Sequence, residues 1–569
     1  MILKALYDYY HRCGNLPQMG MELKEIGYLI VINRNGNFIR VESRMINKKQ
    51  ASVFNVIKTI SRSGKKYTPN LFWDNYEYII GGGSDESKKK NQTFKDLLSK
   101  YHKLLPNNEY TFAISNFYQK YENIENIIAN DPLHNELKKS TKNISFLLEG
   151  STNIAAEDNE IVAVALSTET ATTKSLCSIT GNMASLARLH SVIKLTKDTG
   201  ALVSFQKNSG YDSYGKSQAY NSPISEEAEF AYTTALNHLL RYDSRNKFHI
   251  GNRTFVFWAS NNNDVGKQAE DCIWKMFGHD SSEDDPNHGI EQVRKVFKSI
   301  NDGSLKTSLD DKFYILGLAP NSARIAVTYW TEIQLKDFAQ LINQHFADME
   351  IIDLRKERRP YSGLRSILAS ITLGGKSSDV TLNIPDAVVK SIFQGTQYPY
   401  TLYSACIRRI RAEQKVTITR AAIIKAYLNR FDSNNKNINI MLDNENTNQG
   451  YLCGRLFAIL TKIQDEANKQ HSILERYLNS ASATPATVFA TILNLSSHHS
   501  EKLTIGRKIF FEKIKQEIFT KMDAKGFPAH LDLQDQGRFF VGYYHQIQSF
   551  FLKEKEKEKE KEKEKEKEN

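Results

Sequence analysis

The side chains best suited to hold a metal ion are concentrated in 279–288. They are His279, Asp280, Glu283, Asp284, Asp285 and His288. Carboxylates and imidazoles are ligands that divalent ions use in proteins, so a metal-dependent nuclease is one reading of this cluster. Pro, Asn, Gly and Ser surround it, however, which favours a solvated acidic loop. The chain has no GxSxG, HExxH or Cys–His pattern, and we predict no catalytic site and no cofactor.

A second group of polar side chains, in 206–220, suits binding rather than reaction. The stretch combines amide, aromatic, hydroxyl and basic residues, and Asp212 is the only acid in 200–225. Donors and stacking rings without a nucleophile–base pair fit a polyanion, although a Gly/Ser-rich surface loop is the alternative. The strand-binding residues that we select here are Lys207, Asn208, Tyr214 and Lys216.

A basic loop near the amino terminus, 62–70, is interrupted by Gly and Pro. Lys can reach guanine or phosphate, and Asn can make a bidentate contact with an adenine edge. We therefore expect this loop and the residues after it to grip a nucleic-acid duplex. The residues selected are Lys65, Lys66, Asn70 and Asn75. Asn75 follows an Asp, so a role as a turn former is the alternative.

The densest positive charge lies in 350–430. Between residues 403 and 430 only Glu413 opposes the basic side chains. A solvated helix face usually mixes charges of both signs, so this imbalance favours a surface that faces phosphates. The residues selected are Arg358, Arg359, Arg408, Arg409 and Arg411.

Composition is typical of a globular protein with an acidic partner. The 569 residues carry a net charge of +11, and the Lys–Glu tail, with equal numbers of each, contributes none of the excess. Net positive charge favours nucleic acid as a partner but does not require it. Five widely spaced cysteines predict neither a disulfide framework nor a zinc site, and no run of 18 apolar residues occurs. We expect a cytoplasmic protein.

Hydrophobic patterns predict the elements that must position these groups. Strands are expected at 27–33, 37–41, 78–80, 144–148, 161–166, 201–205, 254–259, 313–318 and 323–330. Helices are expected at 94–101, 122–128, 231–240 and 403–411, with a Gly/Ser-rich linker at 362–376 and an interhelical turn at His498 and His499. After an Asn-rich linker, 434–449, the pattern is wholly helical.

These patterns predict an α+β fold in which an irregular mixed α/β body precedes a carboxyl-terminal, all-helical bundle. We divide the chain into four segments. They are an α/β body, 1–345; a basic segment, 346–433; the bundle, 434–552; and a low-complexity Lys–Glu tail, 553–569.

Several stretches resemble one known family in their order and spacing. They are TGNMASLARLHSVIK, GALVSF, SYGKSQAYNSP, AYTTALNHLL and TFVFWA, with MILKALYDYYHR and GYLCGRLFAILTKIQDEA extending the likeness toward both ends. The chain resembles the large subunit of the type I-C CRISPR surveillance complex (Cascade). The family carries a second basic residue where Thr328 stands here, which weakens any phosphate clamp at Arg324.

The resemblance implies a non-catalytic protein that binds double-stranded target DNA. Its amino-terminal part would read the motif beside the target (PAM), and the rest would hold the opened R-loop. It implies CRISPR RNA, the backbone and repeat-processing subunits and a helicase–nuclease as partners. The bundle resembles the small subunit, which an internal start would produce as a separate protein, and Met441 is the predicted start.

Overall fold

The computed structural model describes residues 1–48, 50–59, 67–121, 123–167, 174–195, 198–206, 215–277, 288–308, 310–322, 324–354, 363–381, 383–431, 438–469 and 472–568. Within these ranges the α+β class is confirmed. No helix among them is both long enough and apolar enough to span a membrane.

The helices of the described residues are α1 (Ile2–Arg12), α2 (Tyr76–Ile79), α3 (Asp85–Leu104), α4 (Glu109–Lys120), α5 (Ile124–Ile128), α6 (His134–Lys139), α7 (Asn159–Leu166), α8 (Glu226–Leu239), α9 (Asp264–Phe277), α10 (His288–Asn301), α11 (Leu335–Met349), α12 (Leu364–Ala369), α13 (Asn383–Gln394), α14 (Tyr400–Glu413), α15 (Ile418–Phe431), α16 (Gln449–Asn468), α17 (Ser472–Ala481), α18 (Pro485–Ser500), α19 (Ile505–Phe519) and α20 (Leu533–Glu568).

The strands are β1 (Met21–Ile32), β2 (Phe38–Ser43), β3 (Val53–Ile57), β4 (Trp73–Asp74), β5 (Asn143–Leu148), β6 (Lys174–Leu176), β7 (Met183–Ser185), β8 (Ile193–Leu195), β9 (Asp198–Gly200), β10 (Lys247–Ile250), β11 (Arg253–Ala259), β12 (Lys312–Asn321) and β13 (Arg324–Gln334).

The chain forms two compact units. The amino-terminal unit comprises Cys13–Ser191 and Phe205–Ala235, and the carboxyl-terminal unit comprises Met1–Arg12, Val192–Ser204 and Leu236–Asn569. The predicted segment boundaries after residues 345 and 433 stay predictions.

The amino-terminal unit is built on a mixed sheet with strand order β2-β1-β5-β4, in which β3 also pairs with β1. β1 is parallel to β5 and antiparallel to β2, and its last seven residues are all buried. The strands predicted at 27–33 and 37–41 are confirmed, and they pair as an antiparallel hairpin. Its turn uses Gly36 at φ +79°, and the Asn33 side chain accepts hydrogen bonds from the N–H groups of Asn35 and Asn37.

The carboxyl-terminal unit contains an antiparallel sheet with order β10-β11-β12-β13. Aromatic side chains on one face of this sheet pack against helices. Phe313, for example, stacks on Phe338 of α11 with ring centroids 4.6 Å apart. The same hydrophobic core continues through α13, α14 and α15 to the bundle helices α16–α20. The predicted helical region after residue 449 is therefore confirmed.

The bundle depends on a close crossing of α16 and α20. A Cβ atom at Gly454 would lie 2.0 Å from the carbonyl oxygen of Phe539, and one at Gly450 would lie 2.5 Å from that of Asp535. On the opposite helix, a Cβ at Gly542 would lie 2.3 Å from the Tyr451 carbonyl oxygen. Backbones this close leave no space for a side chain, so the crossing requires glycine at these positions.

Two short apolar runs predicted as strands are helical instead. Residues 76–79 form α2, because Asn75 caps its first turn, and residues 159–166 form α7, because Asp158 accepts hydrogen bonds from Glu160 N and Ile161 N. Short apolar runs do not distinguish a buried strand from a buried helix, and the preceding Asn and Asp caps were the missed signal.

Three further local predictions are wrong. In 201–205 only Ala201 forms a backbone bridge, to Arg324, and without a ladder partner the run does not become a strand. The expected linker at 362–376 contains α12, whose Leu364, Ile367 and Leu368 are buried. His498 and His499 lie within α18 rather than in a turn.

Substituting Gly454 with Ala tests the helix crossing. We expect Gly454→Ala to lower the free energy of unfolding by about 1–3 kcal/mol, because α16 and α20 must separate to admit the methyl group. Urea unfolding followed by circular dichroism measures this. The control is Gly506→Ala on α19, where no atom lies within 4 Å of the added Cβ. Equal free energies of unfolding for Gly454→Ala and Gly506→Ala would contradict the close crossing of α16 and α20.

Candidate nucleic-acid interface

Several predicted binding residues lie outside the described part of the chain. They are Lys65, Lys66, Lys207, Asn208, Tyr214, Arg358 and Arg359. The described candidates are Asn70, Asn75 and Lys216 in the amino-terminal unit and Arg408, Arg409 and Arg411 in the carboxyl-terminal unit.

Asn70 and Asn75 meet at the corner where β4 leads into α2. Asp74 lies between them, 1% exposed, and both of its carboxylate oxygens accept backbone hydrogen bonds. Oδ2 accepts from the N–H of Asn70 and Oδ1 accepts from the N–H of Asn75, each at 2.8 Å. We call residues 70–78 the β4–α2 corner. One buried carboxylate thus connects the two Asn residues that the sequence selects.

The backbone at this corner is held in an uncommon conformation. Phe72 is fully buried, and its φ is +59°, a backbone region that residues other than glycine seldom occupy. Its carbonyl oxygen accepts a hydrogen bond from Ser145 Oγ of β5 at 2.8 Å. Trp73 beside it is 1% exposed, so it belongs to the core rather than to a stacking surface. The corner is therefore fixed from the sheet side.

The two Asn side chains differ in what they can offer a ligand. Asn75 is half-buried, and its Oδ1 accepts from Tyr78 N at 3.3 Å as the cap of α2, so Nδ2 is the side-chain atom that can donate a further hydrogen bond. Asn70 is 4% exposed, and its Oδ1 is buried without a hydrogen-bond partner among the described residues. Asn75 therefore has an amide group that can donate to a base edge, whereas the buried side chain of Asn70 does not reach the surface.

Lys216 is exposed, in a loop that precedes a 3-10 turn at Gln218–Asn221. The Asn221 side chain donates to the Lys216 carbonyl oxygen at 2.9 Å, which fixes the backbone there. The contacts of the described residues do not bring Lys216 to the β4–α2 corner.

The clearest cationic surface lies along α14, which the sequence predicted to be a helix. Thr401, Ser404, Arg408 and Arg411 fall within an arc of about 80° around the helix axis, because residues advance about 100° each. Exposed Lys415 follows just beyond the helix end. We call these five residues the α14 ridge. Hydroxyl and guanidinium donors on one face are the groups that contact phosphates.

Arg408 and Arg411 pair with no acid among the described residues. Arg408 is exposed, and Arg411 is half-buried with Nε and one terminal nitrogen enclosed and without hydrogen-bond partners. Burial lowers the pKa of Arg411, although the guanidinium stays charged at neutral pH. Enclosed donors without partners cost free energy, so the exposed guanidinium of Arg408 is the group on this face that an anion can reach directly.

Arg409 differs from its neighbours on α14. It pairs with Glu413, one turn further along the helix, and Glu413 also accepts from the guanidinium of Arg420 at 2.6 Å. Arg420 is only 4% exposed and donates to the Ser370 carbonyl oxygen at 2.9 Å. The single acid of this basic stretch is thus shared by two arginines that stabilise the fold.

The basic residues of α15 are also internal. Arg430 Nε donates to Asp348 at 2.6 Å, and its guanidinium lies 4.3 Å from the Tyr398 ring centroid. Lys425 is 3% exposed, and burial lowers its pKa. Some basic residues of this segment therefore join α11 to α15, and others form the α14 ridge.

Sequence reasoning did not select Thr401 and Ser404, which the helical repeat alone would have placed beside Arg408.

The described residues contain no group of three or more His, Cys, Asp or Glu side chains arranged to hold a metal ion. The acidic cluster lies outside them at 279–287, and the helix α10 begins at His288. All five cysteines are free thiols.

The chain was compared with known proteins. The family model described as CRISPR-associated protein (Cas_Csd1) matches residues 6–551. The matched range contains both the β4–α2 corner and the α14 ridge and leaves out the Lys–Glu tail. No curated protein matches the chain.

A charge-removal experiment tests the α14 ridge. We expect Arg408→Ala/Arg411→Ala to weaken binding of the full chain to mixed-sequence single-stranded DNA. The slope of log K against log salt should fall in magnitude by about 1–2, because each phosphate contact releases a counterion. Lys336→Ala, which removes an exposed charge from α11, is the control for net charge. An unchanged slope in the double variant, or an equal change in the control, would contradict a role for the ridge.

Proposed function

This chain belongs to the Cas_Csd1 family of CRISPR-associated proteins, and we propose that it is the non-catalytic large subunit of a type I-C Cascade complex. In this role it recognises the PAM on double-stranded target DNA and stabilises the displaced strand. The family membership supports a component of a CRISPR effector complex. The observation that carries the DNA-binding role is the α14 ridge, a row of donors left without acidic partners among the described residues.

The two described sites suit different parts of the target. A single amide donor on a fixed corner, Asn75, fits the edge of a base pair in a duplex, where a few contacts carry sequence information. The α14 ridge fits a phosphate backbone, which needs positive charge and hydroxyls but no sequence reading. In RNA-guided complexes the guide reads the target by base pairing, and the protein reads only the short flanking motif. The protein also stabilises the displaced strand in such complexes. The β4–α2 corner suits reading of the flanking motif, and the α14 ridge suits binding of the displaced strand.

The remaining partners follow from the resemblance. We propose that the chain assembles with CRISPR RNA and with the backbone and repeat-processing subunits. We also propose that it recruits the helicase–nuclease which degrades the target. On this proposal the large subunit itself cuts nothing, in contrast to a metal-dependent nuclease built on the 279–288 cluster.

The bundle itself has features suited to a separate small subunit. Met441 is 56% exposed, and the residues just after it are tied to the bundle. The Asp443 N–H donates to Tyr451 Oη at 3.2 Å, the Asn444 side chain accepts from Arg455 at 3.1 Å, and Asn448 caps α16. A protein begun at Met441 keeps all these contacts, which supports an internal start at this residue.

Replacing Asn75 tests PAM reading. In the assembled, guide-loaded complex, Asn75→Ala should reduce the preference for the best flanking sequence by about 1–3 kcal/mol, the value of one good base contact. Binding to a library of target duplexes with randomised flanking base pairs measures this preference. Asn123→Ala, which removes the equivalent cap from α5, controls for the loss of a helix cap.

A cleavage assay on the purified chain tests catalysis. With Mg²⁺ or Mn²⁺ and labelled DNA, the chain should leave the DNA intact. Cleavage that disappears with Asp284→Asn would establish the nuclease instead.

In the binding experiment, an equal preference for flanking sequences in Asn75→Ala and Asn123→Ala would contradict PAM reading at Asn75.

Removing the internal start tests the small subunit. We expect the native operon to yield the full chain and a fragment that begins at Met441, both detected with an antibody against the bundle. Met441→Leu should abolish the fragment and leave the full-length band, because leucine preserves the apolar side chain while removing the start codon. A single full-length band from the unaltered operon would contradict the proposal.

A further inference from the structure

The β4–α2 corner contains a carboxylate that cannot itself contact DNA. Asp74 is 1% exposed and lies at the end of β4, which pairs with β5 of the central sheet through Ile144 and Ser145. A buried negative charge is costly unless hydrogen bonds satisfy it. Its position therefore indicates a role in holding the corner rather than in binding.

The two carboxylate oxygens of Asp74 are divided between the two sides of the corner. The N–H of Asn70 donates to Oδ2 and the N–H of Asn75 donates to Oδ1, so one rigid planar group sets the separation of these two backbone positions. Hydrogen bonds to an ionised acceptor are about twice as strong as those between neutral groups. The Asp74 carboxylate consequently links the backbone positions of Asn70 and Asn75.

The strained backbone of Phe72, which lies between Asn70 and Asn75, makes the two hydrogen bonds to Asp74 necessary. Phe72, at φ +59°, occupies a backbone region that is strained for a residue with a side chain. Such a conformation persists only when its surroundings overdetermine it. Here the Ser145 hydroxyl holds the Phe72 carbonyl oxygen, while Asp74 holds the residues on either side. Releasing either contact would allow the corner to relax.

We propose that Asp74 is the positioning residue for base reading, and that its carboxylate fixes the direction in which the Asn75 amide is presented to the flanking duplex. This inference rests on the proposed function, because it gives Asp74 its role through Asn75. A donor held in one place distinguishes bases that present an acceptor there from bases that do not. A donor on a relaxed corner can find an acceptor on several bases, so affinity is kept while discrimination falls.

Asp74→Asn is the direct test. The amide has the same shape but can accept at one end only, so one of the two backbone N–H groups loses its acceptor. In the assembled, guide-loaded complex, preference among flanking sequences should fall roughly fivefold to hundredfold, the value of one base contact. Affinity for duplexes with disfavoured flanking sequences should stay within about twofold.

The chain offers a matched control in the same unit. Asp131 also divides its two oxygens between backbone N–H groups, those of Val41 at 2.7 Å and Leu133 at 2.9 Å. Asp131→Asn therefore makes the same chemical change away from the corner. We expect both variants to lower the melting temperature, whereas only Asp74→Asn should change the flanking preference.

The outcomes separate this inference from the function on which it rests. If Asn75→Ala lowers the preference and Asp74→Asn does not, Asp74 is only structural and the inference fails. If neither variant changes the preference, PAM reading at this corner fails as well. Should Asp74→Asn not fold, Ser145→Ala releases the other support of Phe72, and unchanged preference in that variant would overturn the inference.

Discussion

A positive charge removed from water must find a partner, and this requirement decides which basic side chains remain to bind anything else. In α15 the charges of Arg420 and Arg430 are met by Glu413 and Asp348, with backbone carbonyl oxygens supplying further acceptors. Breaking such buried pairs is strongly destabilising, so these cations are committed to the fold. On α14 the same amino-acid type, at Arg408 and Arg411, has no acid opposite it in the described chain. On the proposed function, the residues that the ion-pair network leaves without acids are the ones that bind phosphates.

This separation explains why net charge predicts a partner but not a site. The basic stretch of the sequence reads as one run, yet the helical repeat turns adjacent residues to different faces: Arg408 outward, Arg409 toward Glu413. Only the positions of the acids, including distant Asp348, show which cations are used internally. The helix and its pairing of Arg409 with Glu413 one turn away could be predicted from the sequence, whereas the pairing of Arg430 with Asp348 joins residues far apart along the chain.

The corner that contains Asn70 and Asn75 shows a similar limit. The residue types selected this stretch as a candidate duplex-binding loop, and the alternative of a turn former was also open for Asn75. Asn75 is in fact the cap of α2, and its Nδ2 is the side-chain donor that the cap does not use. Asp74, which unites the two Asn residues, entered the sequence analysis only as the Asp that Asn75 follows. Its role depends on its burial and on the two backbone N–H groups that it faces, which residue types alone do not show. The glycines of the α16–α20 crossing are likewise meaningful only once the two helices are seen together.

The central claim is that side chains without partners in this fold are there for nucleic acid. The most direct measurement is an experimental structure of the guide-loaded complex bound to its target DNA. The account predicts DNA phosphates within hydrogen-bonding distance of Arg408 and Arg411, and the flanking duplex against the Asn75 amide. A complex in which the α14 ridge faces only solvent or other protein subunits, with the flanking duplex elsewhere, would contradict it.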